Sequence, residues 1–131
     1  MSTTSLRIEH VALYTADLEA ARTFFERYFH ATAGLLYHNP AKQFRSYFLT
    51  VPSGGTRLEL MSRPCLPPSP PDHLGYAHIA LSVGSRQSVD ALTERLRRDG
   101  YAVLSGPRTT GDGYYESVVT AFDGLTIEIT V

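Results

Sequence analysis

Two stretches of the chain alternate apolar and polar residues with the two-residue period of a half-buried strand. In "GYAHIALSV", residues 75–83, Tyr76, His78, Ala80 and Ser82 fall on one face and Ala77, Ile79, Leu81 and Val83 on the other. In "IEHVALYT", starting at Ile8, His10, Ala12 and Tyr14 share a face and Val11 and Leu13 oppose them. Aligned on their histidines, the two stretches share H-[VI]-A-L at an offset of 68 residues. Each runs into a helical pattern. The first, "DLEAARTFFERYF", puts Leu18, Ala21, Phe25 and Phe29 on one side, with Asp17 as the expected N-cap. The second, "RQSVDALTERLRRDG", puts Val89, Leu92 and Leu96 on one side, with Gly100 as the expected stop. Strands are then predicted at 34–38, 44–51 and 57–62 in the first half, and at 101–104, 117–122 and 125–131 in the second. The turn signals "PSGG" (52–55) and "FDG" (122–124) separate them. Both halves read β-α-β-β-β. Between them "RPCLPPSPPDH" holds five prolines, which suit a semi-rigid linker and not a sheet. The expected organisation is one α+β domain: module one at 6–62, a linker at 63–74 and module two at 75–131.

The repeat has a second matched position. The last strand of module one contains "RLELMS" and that of module two "TIEITV", so Glu59 and Glu128 correspond at an offset of 69. Val11, Leu13, Leu58 and Leu60 in the first half, and Ile79, Leu81, Ile127 and Ile129 in the second, need a partner, and the amphipathic helices supply one. His10, Glu59, His78 and Glu128 then all lie on the sheet face the helices leave uncovered. Beside the histidines that face carries small side chains, Ala12 and Ala80. An ordinary solvated face scatters its polar residues; here two imidazoles and two carboxylates occupy repeat-equivalent positions. Related by an approximate two-fold, they converge. Two converging carboxylates repel, and a divalent cation between them removes the cost. Mixed N and O donors suit Zn, Ni, Fe, Co or Mn without choosing among them. Four protein ligands leave one or two positions for water or substrate.

Composition narrows the class. The chain has 131 residues and a net charge of −1, so no basic footprint for nucleic acid or anionic membrane is present. No apolar run reaches the roughly 20 residues of a membrane span. The N-terminal "MSTTSLRIEH" lacks the basic and apolar regions of a signal peptide, and the single Cys65 has no intrachain partner. A reducing, cytoplasmic setting is expected. Cys65, among prolines, carries no sign of activation.

Over 6–131, and most strongly in "IEHVALYTADLEAARTFFERYF", "GYAHIALSV" and "GDGYYESVVTAFDGLTIEI", the chain resembles the vicinal oxygen chelate superfamily, the glyoxalase/bleomycin resistance/dioxygenase fold. Within it the likeness is greatest to small bacterial glyoxalase I-like (lactoylglutathione lyase-like) proteins. The resemblance implies paired βαβββ modules in a half-open mixed β barrel around one divalent metal, usually in a homodimer. It implies His10, Glu59, His78 and Glu128 as metal ligands. It also implies carbon–sulfur lyase or isomerase chemistry on a vicinal-oxygen substrate such as an α-keto hemithioacetal. There the metal stabilises an enolate, and Glu128 and Glu59 shuttle the proton.

The likeness has gaps. Bacterial glyoxalase I carries an arginine four residues after the first histidine, where Tyr14 stands here, and an asparagine four residues after the first glutamate, where Arg63 stands. Both departures weigh against glutathione and leave the metal set intact. Tyr14 is expected to line the pocket or to pack, and Arg63 to pair an anionic substrate or to be solvated. In "TGDGYYESV" (110–118), Tyr114 or Tyr115 is expected to close over substrate as a flap, or the segment is a plain turn. Other members of the fold are ring-cleaving dioxygenases, epimerases or non-catalytic binding (resistance-type) proteins. A four-ligand set argues against the first, and a complete set against the last. Because each module holds two ligands, a site shared between two chains of a homodimer is expected. The remaining partner is a small-molecule substrate.

Overall fold

The computed structural model describes residues 5–131. The chain divides into two compact units, 1–67 and 68–131, with the division inside the proline-rich segment. In the first unit, β1 (His10–Tyr14) leads to α1 (Leu18–Phe29), then β2 (Thr32–Ala33), β3 (Tyr37–Asn39), a short 3-10 helix (Pro40–Lys42), β4 (Phe44–Thr50) and β5 (Arg57–Ser62). The second unit runs β6 (Ile79–Ser82), α2 (Arg86–Arg98), β7 (Val103–Thr109), β8 (Tyr115–Thr120) and β9 (Thr126–Thr130). The sheet orders are β1-β5-β4-β2, with β3 also on β4, and β6-β9-β8-β7. In each unit the first strand pairs in parallel with the last, and the other pairings are antiparallel. The α+β class is as the sequence predicts, the β-α-β-β-β order is met in the second unit, the first carries one strand more, and neither sheet closes on itself.

Both helices form where the apolar spacing and caps place them. Asp17 caps α1 by accepting from Ala20 N at 3.0 Å, and Ser85 caps α2 by accepting from Ser88 N at 3.1 Å. α1 buries Leu18, Ala21, Phe24, Phe25, Tyr28 and Phe29, and Tyr47, Leu49 and Leu60 of its sheet are buried too. α2 buries Val89, Thr93 and Leu96, with Val119, Ile127 and Ile129 of its sheet also buried. Each large apolar side chain taken out of water contributes about 1.5–3 kcal/mol, which fixes which sheet face turns to the helix. The buried Thr93 hydroxyl is satisfied by Val89 O at 2.6 Å and Ser117 Oγ at 2.7 Å.

Four strands differ from the predicted ones. Of the strand expected at 34–38 only Tyr37 and His38 lie in a strand, β3, while β2 precedes that range, and the two pair with opposite ends of β4. β7, expected at 101–104, runs Val103–Thr109, because its later residues pair with the early part of β8. β6 begins at Ile79, so His78 lies just before the ladder and not in mid-strand. β8 begins at Tyr115, two residues earlier than expected, which brings Glu116 into the sheet.

β7 shifts register against β8 between Ser105 and Arg108. Gly106 makes the shift possible. Its φ is +81°, and a Cβ there would meet the Glu116 carbonyl oxygen at 2.5 Å. Gly106→Ala is therefore expected to destabilise the protein by about 3 kcal/mol, read by chemical denaturation. A loss under about 0.5 kcal/mol would show that the shift does not need glycine.

Candidate functional site

In the first unit the parallel ladder sets Ala12 beside Glu59, and His10 lies two residues before Ala12 on the same face. His10 Nε2 approaches Glu59 Oε1 to 3.7 Å. The second unit repeats the register: Ala80 pairs with Glu128, and His78 Nε2 approaches Glu128 Oε2 to 2.9 Å. The two pairs are equally sunk. Glu59 and Glu128 side chains are 17% and 19% exposed, and His10 and His78 are 39% and 42% exposed. The alternation that buries the aliphatics against the helices thus does place a histidine and a glutamate together on the open face of each sheet.

The surroundings of the pairs differ. His10 Nδ1 lies 3.4 Å from Glu9 Oε1. Arg57 donates to the same oxygen through Nε at 2.8 Å and through Nη2, and Arg7 donates to Glu9 Oε2 at 3.1 Å. The Arg57 hydrogen bond holds the Glu9 carboxyl below the ordinary carboxylate range, against the opposing effect of partial burial. The Arg57 guanidinium lies over the Phe48 ring, 4.2 Å from its centre. Phe48 in turn meets the His10 ring at 5.1 Å, nearly perpendicular. In the second unit the neighbour is an acid. Glu116 opposes Thr130 and Val118 opposes Glu128, so Glu116 shares the Glu128 face. Burial first, then a hydrogen bond with Glu128 and the charges of Glu128 and Asp112, push the Glu116 carboxyl up; Arg108 opposes them.

Imidazole nitrogen beside carboxylate oxygen is a donor set that fits a borderline divalent cation. Within neither unit, among the described residues, do three His, Cys, Asp or Glu side chains gather as a metal-binding group. Each unit offers one His–Glu pair.

The other candidates sort by face. Tyr14 is half-exposed on the His10 face, where the Arg63 guanidinium lies 5.3 Å from its ring centre and Nε donates to its hydroxyl at 3.4 Å. Tyr114 is exposed in the turn before β8, its backbone N–H donating to Thr110 Oγ1. Tyr115 departs from the expectation of a pocket residue. It alternates with the buried Ser117 and Val119, donates its hydroxyl to Asp90 of α2, and carries the Arg86 guanidinium at 4.7 Å. It belongs to the helix side, and the expected choice between the two tyrosines falls to Tyr114.

Sequence reasoning passed over Glu9, Arg57 and Glu116. The signal for Glu116 was its two-residue spacing to Val118, hidden because the strand was expected to begin at 117. Cys65 is exposed, as a bystander would be.

The sequence profile of the Glyoxalase/Bleomycin resistance protein/Dioxygenase superfamily matches residues 7–129. The chain is 28% identical to uncharacterized protein YqjT of Bacillus subtilis, over 93% of this chain and 96% of that one. Among solved structures it is similar to a possible glyoxalase from Bacillus cereus, with 28% identity and a TM-score of 0.73 over 97% of this chain and all of the other. The trypanothione-dependent glyoxalase I of Leishmania major shares the fold at 22% identity and a TM-score of 0.78, over 96% of this chain and 86% of that one. So does the fosfomycin resistance protein FosX of Listeria monocytogenes, at 20% identity and a TM-score of 0.71, over 99% of this chain and 93% of that one.

Because Tyr115 faces α2, Tyr115→Phe is expected to lower the thermal unfolding midpoint slightly and to leave divalent-metal affinity unchanged. Calorimetry in both modes checks this. Weakened metal binding with an unchanged midpoint would put the ring on the open face.

Proposed function

The chain belongs to the Glyoxalase/Bleomycin resistance protein/Dioxygenase superfamily, and from that premise we propose that it is a metal-dependent glyoxalase-type lyase or isomerase acting on a small vicinal-oxygen substrate. The observation that carries this is the repeated register: Ala12 beside Glu59 and Ala80 beside Glu128, each with a histidine against the glutamate. His10, Glu59, His78 and Glu128 are the proposed ligands of one divalent cation per site, Zn, Ni, Co, Mn or Fe. When bound, the cation supplies Lewis-acid polarisation of two neighbouring substrate oxygens.

The chain's own groups do the rest. On a hemithioacetal the reaction is an internal proton transfer: one carboxylate takes the proton from carbon 1, and the same proton returns to carbon 2. Glu128 and Glu59 are the proposed carriers. A ligated carboxylate must be at least transiently free to accept a proton, so ligation and base catalysis compete for the same lone pairs. Tyr14, with Arg63 on its ring, and Tyr114 are the proposed substrate contacts. The open face lacks the arginine that, in bacterial glyoxalase I, meets the glutathione carboxylate, because Tyr14 stands in that position. A non-glutathione substrate follows.

The same two-plus-two division supports sites shared between two copies of the chain, His10 and Glu59 from one and His78 and Glu128 from the other. A linker of about 11 residues at roughly 3.1 Å each, stiffened by prolines, permits that exchange. The protein is expected to bind about one divalent metal per chain, and His10→Ala and His78→Ala homodimers to lose it. Unfolded together and refolded, the two variants make a mixed dimer with one doubly damaged and one intact site. About half the wild-type metal per mixed dimer then returns, by elemental analysis. Recovery of none would leave the site within one chain, and full metal in the double variant would remove the ligand assignment itself.

Turnover of the glutathione–methylglyoxal hemithioacetal is expected to be weak. A missing charge-assisted pair is worth about 1.5–3 kcal/mol, or roughly 10- to 150-fold. A kcat/KM within the usual enzyme range of about 10⁴–10⁸ M⁻¹s⁻¹ on that substrate would show that Tyr14 does not exclude glutathione.

A further inference from the structure

The two His–Glu pairs are equivalent by register, but what surrounds them is not. Glu9 precedes His10; the residue preceding His78 is Ala77. Arg57, two residues before Glu59, has Thr126 as its counterpart before Glu128. Phe48, which the ladder sets beside Glu59, has Val118 beside Glu128. Every residue that touches the far side of His10 is thus replaced in the second unit by one with neither charge nor ring to offer.

We propose that Glu9 is a positioning residue for His10. Held by Arg57 and Arg7, it faces Nδ1 and favours the tautomer with the proton there, which leaves the Nε2 lone pair for the metal. The assignment rests on the proposed metal site and deepens it. An imidazole is a ligand only through an unprotonated nitrogen, and the hydrogen bond at its other nitrogen decides which one that is. Glu9 Oε1 lies 3.4 Å from Nδ1, while Nε2 is the atom that faces Glu59 at 3.7 Å. Arg57 fixes Glu9 through Nε at 2.8 Å and is itself fixed over Phe48 at 4.2 Å. Phe48 closes the ring of contacts by meeting the His10 edge at 5.1 Å. Rotation of His10 would break the Glu9 and Phe48 contacts together. His78 has no such brace on its preceding residue, so the first unit supplies the preset histidine of the site.

The test uses the full-length protein, stripped of metal with chelator, and Zn²⁺ as the probe. In ¹⁵N-labelled protein, His10 is expected to carry its proton on Nδ1, and Glu9→Ala to move it to Nε2 or to a mixture of the two. Zn²⁺ affinity by calorimetry should fall about tenfold in Glu9→Ala. Glu9→Gln, which keeps an acceptor oxygen, should lose less. Glu94→Ala, which removes the same charge from the exposed face of α2, should change neither quantity. A His10 tautomer unmoved by Glu9→Ala overturns the proposal, as does an equal affinity loss in Glu94→Ala. If the wild type takes up no Zn²⁺ while the His10 tautomer still follows Glu9, the metal function fails and the positioning role stands.

Discussion

A strand has two faces and a single helix can cover one of them. That constraint, applied once in each half of the chain, arranges everything else. Phe25 and its neighbours on α1, and Val89 and Leu96 on α2, take the aliphatic face of each sheet. At about 1.5–3 kcal/mol per buried side chain, no register that turned Leu60 or Ile129 to water could compete. The face left over is fixed by that choice. His10, Glu59, His78 and Glu128 stand there because their neighbours were claimed by the helices. The core therefore selects the site's register, and a one-residue slip in β5 or β9 would lose both together.

That dependence explains how much was legible beforehand. Strand alternation and helix spacing both rest on large apolar side chains, so α1, α2, β4, β5 and β9 could be placed to within a residue or two, and the four ligand candidates with them. What depended on particular contacts was not legible. The break between β2 and β3 arises because two segments pair with different ends of β4, and no local pattern announces it. The early start of β8 follows from pairing of Tyr115 and Glu116 with β7 across the glycine-containing turn at 110–114, and of Glu116 with Thr130 of β9. That two-residue error hid Glu116 and left Tyr115 on the wrong side, since Tyr115 belongs with Asp90 and Arg86 of α2. Glu9 and Arg57 were missed for another reason. An ion pair 48 residues apart in sequence has no periodicity to betray it.

The departures from the bacterial glyoxalase I pattern fall outside the His–Glu pairs. Tyr14 and Arg63 lie beyond His10 and Glu59 along their strands, and they touch each other. Successive same-face residues on a strand are about 6.6 Å apart, so Tyr14 sits roughly 13 Å along the strand from His10. A substrate's remote end can reach that distance while its reacting oxygens stay at the histidine. On the proposed assignment, the ligands and the substrate contacts would be separated along one strand.

A repeated module also frees each half from having to do the other's work. In the first unit a carboxylate, an arginine and an aromatic ring surround the histidine and restrain it. In the second, a second carboxylate lies against the glutamate. Restraint suits a ligand that must stay where it is. The carboxyl that is pushed up in the second unit is that of the neighbour, Glu116, by burial first and then by its hydrogen bond with Glu128. By register Val118 stands where Phe48 does, and Glu116 where Ser46 does. Two copies of one register, each with a histidine against a glutamate, thus carry different surroundings.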